Sequence, residues 1–130
     1  MNDCSPDLVP LRVLIVDDYP PGLKFTAVKL RRLGCAVRGC ANASECVAVA
    51  RDFRPELILL DLFMPCVDGF TVAQQLRDAD LPPFLLVAYT GLDQAEVTRR
   101  CEEAGFDAVL EKPATKSDLE VADASGGWQR

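Results

Sequence analysis

A chain of 130 residues with 49% apolar residues and a formal net charge of -6 fits a single domain able to bury its own core. The 20 acidic residues outnumber the 14 basic ones and no basic run is present. Attachment to nucleic acid through its phosphate backbone, which needs clustered Lys and Arg, is therefore not expected. Histidine is absent and the six cysteines (Cys4, Cys35, Cys40, Cys46, Cys66 and Cys101) form no C-x-x-C pair, which argues against a zinc site. Met1 to Pro10 lack the basic-then-apolar pattern of a signal peptide, and no apolar run approaches the roughly 20 residues that cross a bilayer. These features describe a cytoplasmic protein with reduced thiols and no membrane insertion.

In chain order, Leu11 to Val16 is an apolar, β-branched run that reads as a strand and ends at Asp17-Asp18. Pro20-Pro21 opens a helix, a place where proline is tolerated, with Leu23, Ala27 and Leu30 on one face. Gly34 stops it, and Cys35 to Cys40 reads as a short strand. Asn42 or Ser44 caps a second helix that places Cys46, Val49, Ala50 and Phe53 together and closes at Pro55. Leu57 to Leu60 is apolar throughout, the mark of a strand covered on both faces, and Asp61 follows at once.

The second half keeps the rhythm. Met64-Pro65 and Asp68-Gly69 predict a loop, and Phe70, Ala73 and Leu76 predict a third helix. Pro82-Pro83 ends the connection to a strand over Phe84 to Tyr89, closed by Thr90-Gly91. Gln94 to Ala104 predicts a helix with Val97, Cys101 and Ala104 inward, and Ala108 to Leu110 a short strand before Glu111-Lys112-Pro113. A fifth, small-faced helix is predicted around Lys116 to Ala124. The expected organisation is a flexible segment 1–10, one domain over 11–124 and a tail over 125–130.

Alternating strands and helices imply an α/β fold: a five-stranded parallel sheet, doubly wound, with helices on both faces. In such sheets the site lies beyond the carboxyl ends of the strands. Asp17 and Asp18 end the first strand, Asp61 the third, Thr90 the fourth and Lys112 the fifth, so all five are expected at one edge. Taken singly, each reads as an ordinary turn, cap or strand end. Together, three carboxylates repel and call for a proton or a cation, and an all-oxygen donor set suits a hard ion such as Mg2+. A cation, the Lys112 ammonium and the Thr90 hydroxyl would make a phosphoryl group tolerable beside a carboxylate nucleophile.

These residues resemble the receiver domains of two-component response regulators. Val13-Leu14-Ile15-Val16-Asp17-Asp18 is similar to the first strand and acidic pair of that family, and L-I-L-L-D-L-F-M-P-C-V-D-G over Leu57 to Gly69 to its phosphoacceptor strand and loop. Val87-Ala88-Tyr89-Thr90-Gly91 resembles its switch-threonine strand, and Glu111-Lys112-Pro113 its lysine motif. The resemblance covers about Leu11 to Leu119 and implies a flavodoxin-like (βα)5 sheet of order 2-1-3-4-5. It further implies phosphorylation of Asp61, with magnesium held directly by Asp18 and Asp61, by the Phe63 carbonyl, and by Asp17 mostly through water. Lys112 and Thr90 would contact the phosphoryl oxygens. The implied phosphodonor is a histidine kinase or histidine phosphotransfer protein.

Three departures from the family pattern carry expectations. Val109 stands where many receivers have an aromatic residue, so an aromatic readout there is not expected. Phe63 and Leu92 stand two residues beyond Asp61 and Thr90; the resemblance implies that these positions flank the path of the hydrolytic water, and apolar side chains there should slow loss of phosphate. The small final helix implies a weakened or altered output surface. With about ten residues after the receiver, the reading is a stand-alone response regulator, signalling by protein–protein contact with an unknown downstream target or serving as a phosphorelay intermediate. A receiver module excised from a hybrid histidine kinase and a degenerate receiver acting only as a scaffold are the alternatives. A flavodoxin is disfavoured by the acidic first loop. A phosphatase with an aspartate nucleophile is disfavoured because Phe63, not aspartate, follows Asp61 by two.

Overall fold

Every apolar run identified in the sequence forms a parallel strand in the computed structural model, which describes residues 10–62, 64, 68–90 and 95–111. The elements are β1 (Arg12–Val16), α1 (Pro20–Arg32), β2 (Ala36–Cys40), α2 (Cys46–Phe53), β3 (Leu57–Leu60), α3 (Gly69–Asp78), β4 (Leu85–Thr90), α4 (Ala95–Glu103) and β5 (Ala108–Glu111). A single 3-10 turn over Ala43–Glu45 leads into α2, with the Asn42 side chain accepting from the Ser44 N–H. The sheet order is β2-β1-β3-β4-β5 and every pairing is parallel, so the fold is flavodoxin-like.

The strands are apolar at every position because both faces of the sheet are covered. Leu14, Val16, Ile58, Leu60, Leu86 and Ala88 pack on one face against residues of α2, α3 and α4, including Ala50, Leu76 and Cys101. Val13, Ile15, Leu57, Leu59, Val87 and Tyr89 pack on the other against Ala27 and Leu30 of α1. Each fully buried Leu or Ile contributes about 1.5–3 kcal/mol, so these two layers fix the register. Helix α1 ends where the backbone turns left-handed at Gly34 (φ 95°), while Arg54 (φ 55°) ends α2 just before Pro55.

Two expectations about loops need correction. The fourth strand runs one residue later than read, ending on Thr90, which pairs with Glu111. Gly69 is the first residue of α3 rather than part of a loop, with Asp68 as its cap accepting from the Phe70 N–H at 2.9 Å. The fifth helix, expected over Lys116 to Ala124, lies outside the described residues.

Candidate functional site

The parallel register brings the acidic residues together. Val16 pairs with Leu60, so the residues that follow them, Asp17 and Asp61, emerge side by side. Backbone bonds hold both: the Asp61 N–H donates to the Val16 carbonyl at 2.9 Å, and the Asp17 N–H to the Cys40 carbonyl at 3.1 Å. The Asp17 carboxylate also accepts from the Tyr19 N–H at 3.0 Å, which turns the chain out of β1 toward α1. One carboxylate oxygen from each of Asp17, Asp18 and Asp61 lies within 4.8 Å of the others. Asp17 (2% exposed) and Asp61 (9%) are buried, whereas Asp18 is half-buried. Asp18 borders a cleft of about 560 Å³ lined also by Asn42, Ser44, Met64 and Gln75, so the trio opens to solvent on that side.

Thr90 stands one strand over, two residues beyond the pairing of Leu60 with Ala88, and is 1% exposed. Because it belongs to β4, the pleat fixes its side chain on the face of Leu86 and Ala88. Val109 is buried on that same face. Lys112, Phe63, Leu92 and Cys66, singled out in the sequence, lie outside the described residues.

Three carboxylates this close repel on the order of 3 kcal/mol per pair at an effective dielectric constant of about 20. The donor set is all oxygen, and it fits a hard divalent cation that keeps several waters. Thiols do not compete for this role. Burial pushes the Cys46 thiol up to about 12 and the Cys101 thiol to about 11, and it raises Cys40 as well. These groups stay protonated and neutral at physiological pH.

Gly69 is the site residue that sequence reasoning missed. A Cβ on it would stand 2.6 Å from Leu62 Cα and 2.7 Å from the Asp61 carbonyl oxygen. Its N–H donates to the Leu62 carbonyl at 3.0 Å, so the start of α3 clasps the backbone immediately after Asp61. The signal in the sequence was the Asp68-Gly69 pair, but turn chemistry explained that pair without requiring a close approach.

Comparison with known proteins bears on this arrangement. The family model for the response regulator receiver domain matches residues 13–122. This chain belongs to that family. The DNA-binding dual master transcriptional regulator RpaA of Synechocystis is 37% identical to it over 106 residues, covering 78% of this chain and 43% of RpaA. The virulence sensor protein BvgS of Bordetella pertussis is 32% identical over 111 residues, covering 81% of this chain and 9% of BvgS. The chain thus spans less than half the length of either relative. A response regulator protein from Burkholderia pseudomallei, crystallised with a phosphorylated aspartic acid, calcium ion and citrate, shares the fold with a TM-score of 0.77 at 27% identity. That likeness covers 89% of this chain and 69% of the other. Among the described residues of this receiver, no helix is long and apolar enough to cross a membrane.

Proposed function

We propose that this receiver accepts a phosphoryl group on Asp61 from a partner phosphohistidine in a magnesium-dependent reaction. The convergence of the Asp17, Asp18 and Asp61 carboxylates within 4.8 Å is the observation that carries this reading. It is supported by the solved relative from Burkholderia pseudomallei, which holds a phosphorylated aspartic acid and a calcium ion. Asp18 and Asp61 would hold magnesium directly, Asp17 mostly through water, and the Phe63 carbonyl would complete the protein ligands. When bound, the ion neutralises the acidic trio and the incoming phosphoryl oxygens.

In the transfer, a carboxylate oxygen of Asp61 forms a bond to phosphorus as the bond from phosphorus to the donor imidazole nitrogen breaks. The electron pair leaves with the imidazole, which then takes a proton. Thr90 and Lys112 donate hydrogen bonds to the phosphoryl oxygens and spread their charge. The product biases a two-state arrangement of loops and helices, and the output is contact with a target protein or onward relay. The match to a segment of the sensor protein BvgS favours a second setting, a receiver module within a longer sensor.

The test is intact-mass analysis after incubation with acetyl phosphate and magnesium. Wild type gains one phosphoryl group, Asp61→Ala gains none, and chelation of magnesium abolishes the gain. A wild type that never gains mass is a binding scaffold, not a phosphoacceptor.

A further inference from the structure

Strand β4 sends alternate side chains to opposite faces of the sheet. Leu86 and Ala88 face one core, and Thr90 follows them. Val87 and Tyr89 face the other. From there Tyr89 reaches helix α1, where its hydroxyl oxygen stands 3.4 Å from Thr26 Oγ1, and either hydroxyl can donate. Both residues are buried, and Tyr89 belongs to an apolar layer that includes Val13, Ile15, Ala27, Leu30, Leu59 and Val87.

Two hydroxyls facing each other in an apolar layer are an unusual expenditure of polar groups in a core, because each loses water there. Their separation exceeds the about 2.5–3.0 Å of a full O–H···O bond. A small displacement of the end of β4 relative to α1 therefore either tightens the contact or loses it. Tyr89 precedes Thr90 directly, so movement of one backbone moves the other. Helix α1 begins at Pro20, immediately after Asp17, Asp18 and Tyr19, so it is tied to the acidic trio at its start and to β4 at its middle.

We propose that the Tyr89–Thr26 contact is a conformational link that transmits the state of the strand end at Thr90 to helix α1. The proposal rests on the reading that Asp61 is phosphorylated and that Thr90 engages the phosphoryl oxygens. When Thr90 is drawn toward them, Tyr89 shifts on the opposite face and the geometry of its contact with Thr26 changes. The outward side of α1 is where that change reaches solvent, at the exposed residues Lys24, Phe25, Val28 and Arg32. Tyr89 and Thr26 act through Thr90 and are positioning residues, not groups that touch phosphate.

Hydrogen exchange of the α1 amides, read by mass spectrometry before and after treatment with acetyl phosphate and magnesium, tests the link. Phosphate occupancy is read in parallel by intact mass. Wild type and Thr26→Ser, which keeps the hydroxyl, are expected to change α1 exchange by about threefold to fivefold on phosphorylation. Tyr89→Phe and Thr26→Val, at equal occupancy, are expected to change it by less than about twofold. An undiminished response in either hydroxyl-free variant overturns the link. So does a loss of α1 protection that is the same with and without phosphate, which is a static packing effect. Full occupancy without any α1 response in wild type overturns the link and leaves the phosphoacceptor reading intact, whereas absence of the mass gain overturns both. Should Tyr89→Phe fail to fold by circular dichroism, Thr26→Val decides from the other side of the contact.

Discussion

Replacing Gly69 with alanine probes how tightly the site is built. The added Cβ would lie 2.6 Å from Leu62 Cα and 2.7 Å from the Asp61 carbonyl oxygen, and both obstacles are backbone. Ordinary carbon–carbon contact is about 3.5–4.0 Å, so the clasp must open by about 1 Å. Overpacking of this kind costs about 1–3 kcal/mol. Alanine recovers up to about 1 kcal/mol through helix propensity, and less at a first helical position where few intrahelical bonds are made. The strain wins, and a net loss of about 1–2 kcal/mol lowers the melting temperature by about 3–8 °C. The same opening displaces Asp61, whose backbone is one of the two obstacles. The rate of phosphoryl gain from acetyl phosphate should therefore fall by about tenfold to a hundredfold. Thermal denaturation followed by circular dichroism and the time course of mass gain measure the two effects. A variant that melts at or above the wild-type temperature and phosphorylates at the wild-type rate refutes the argument that the clasp positions Asp61.

Two further outcomes are expected. The phosphorylated protein, freed of donor, should lose phosphate over minutes or longer, since Phe63 and Leu92 would exclude the hydrolytic water. A half-life of seconds removes that argument, and Phe63→Asn together with Leu92→Asn should accelerate the loss. The buried thiols give a pH dependence. Burial keeps Cys46 and Cys101 protonated in the native state up to about 12 and about 11, whereas in the unfolded chain they ionise near the ordinary value of 9.0. Above that value the unfolded state sheds protons that the native state keeps, so stability is full below it and falls as pH rises toward the native values. The urea midpoint should drop between about pH 9 and pH 11, and less steeply when Cys46 and Cys101 are both replaced by alanine. An equal slope in that variant assigns the alkaline loss to other groups.

The legibility of the sequence differed from element to element for physical reasons. Leu57 to Leu60 announced a doubly covered strand because no polar residue interrupts it, and it occupies those positions. Strand β4 was read one residue early because the pattern alone does not distinguish Thr90 as the last paired residue from the first turn residue. Pairing with Glu111 makes that distinction, and it comes from another strand. Asp68 was visible as a turn residue and Asn42 as a cap, since a short side chain accepting from a nearby N–H is a local event, but Asn42 caps the 3-10 turn over Ala43–Glu45 and not α2, which starts after Glu45 without a side-chain cap. Gly69 was visible as a glycine, but its necessity was not, because the atoms that forbid a side chain belong to residues 61 and 62. The facing hydroxyls of Thr26 and Tyr89, 63 positions apart, left no trace in the pattern at all.

By itself, then, the sequence determined the alternation of strands and helices, the two covered faces and the acids at the strand ends. Those follow from side-chain period and apolar content, which are properties of neighbours along the chain. Only the tertiary structure decided that Asp17, Asp18 and Asp61 converge to within 4.8 Å, that Gly69 must lack a side chain, and that Tyr89 meets Thr26. Distances between segments depend on strand register and on how helices settle against the sheet. Those are set by packing of the whole core and not by any stretch within it.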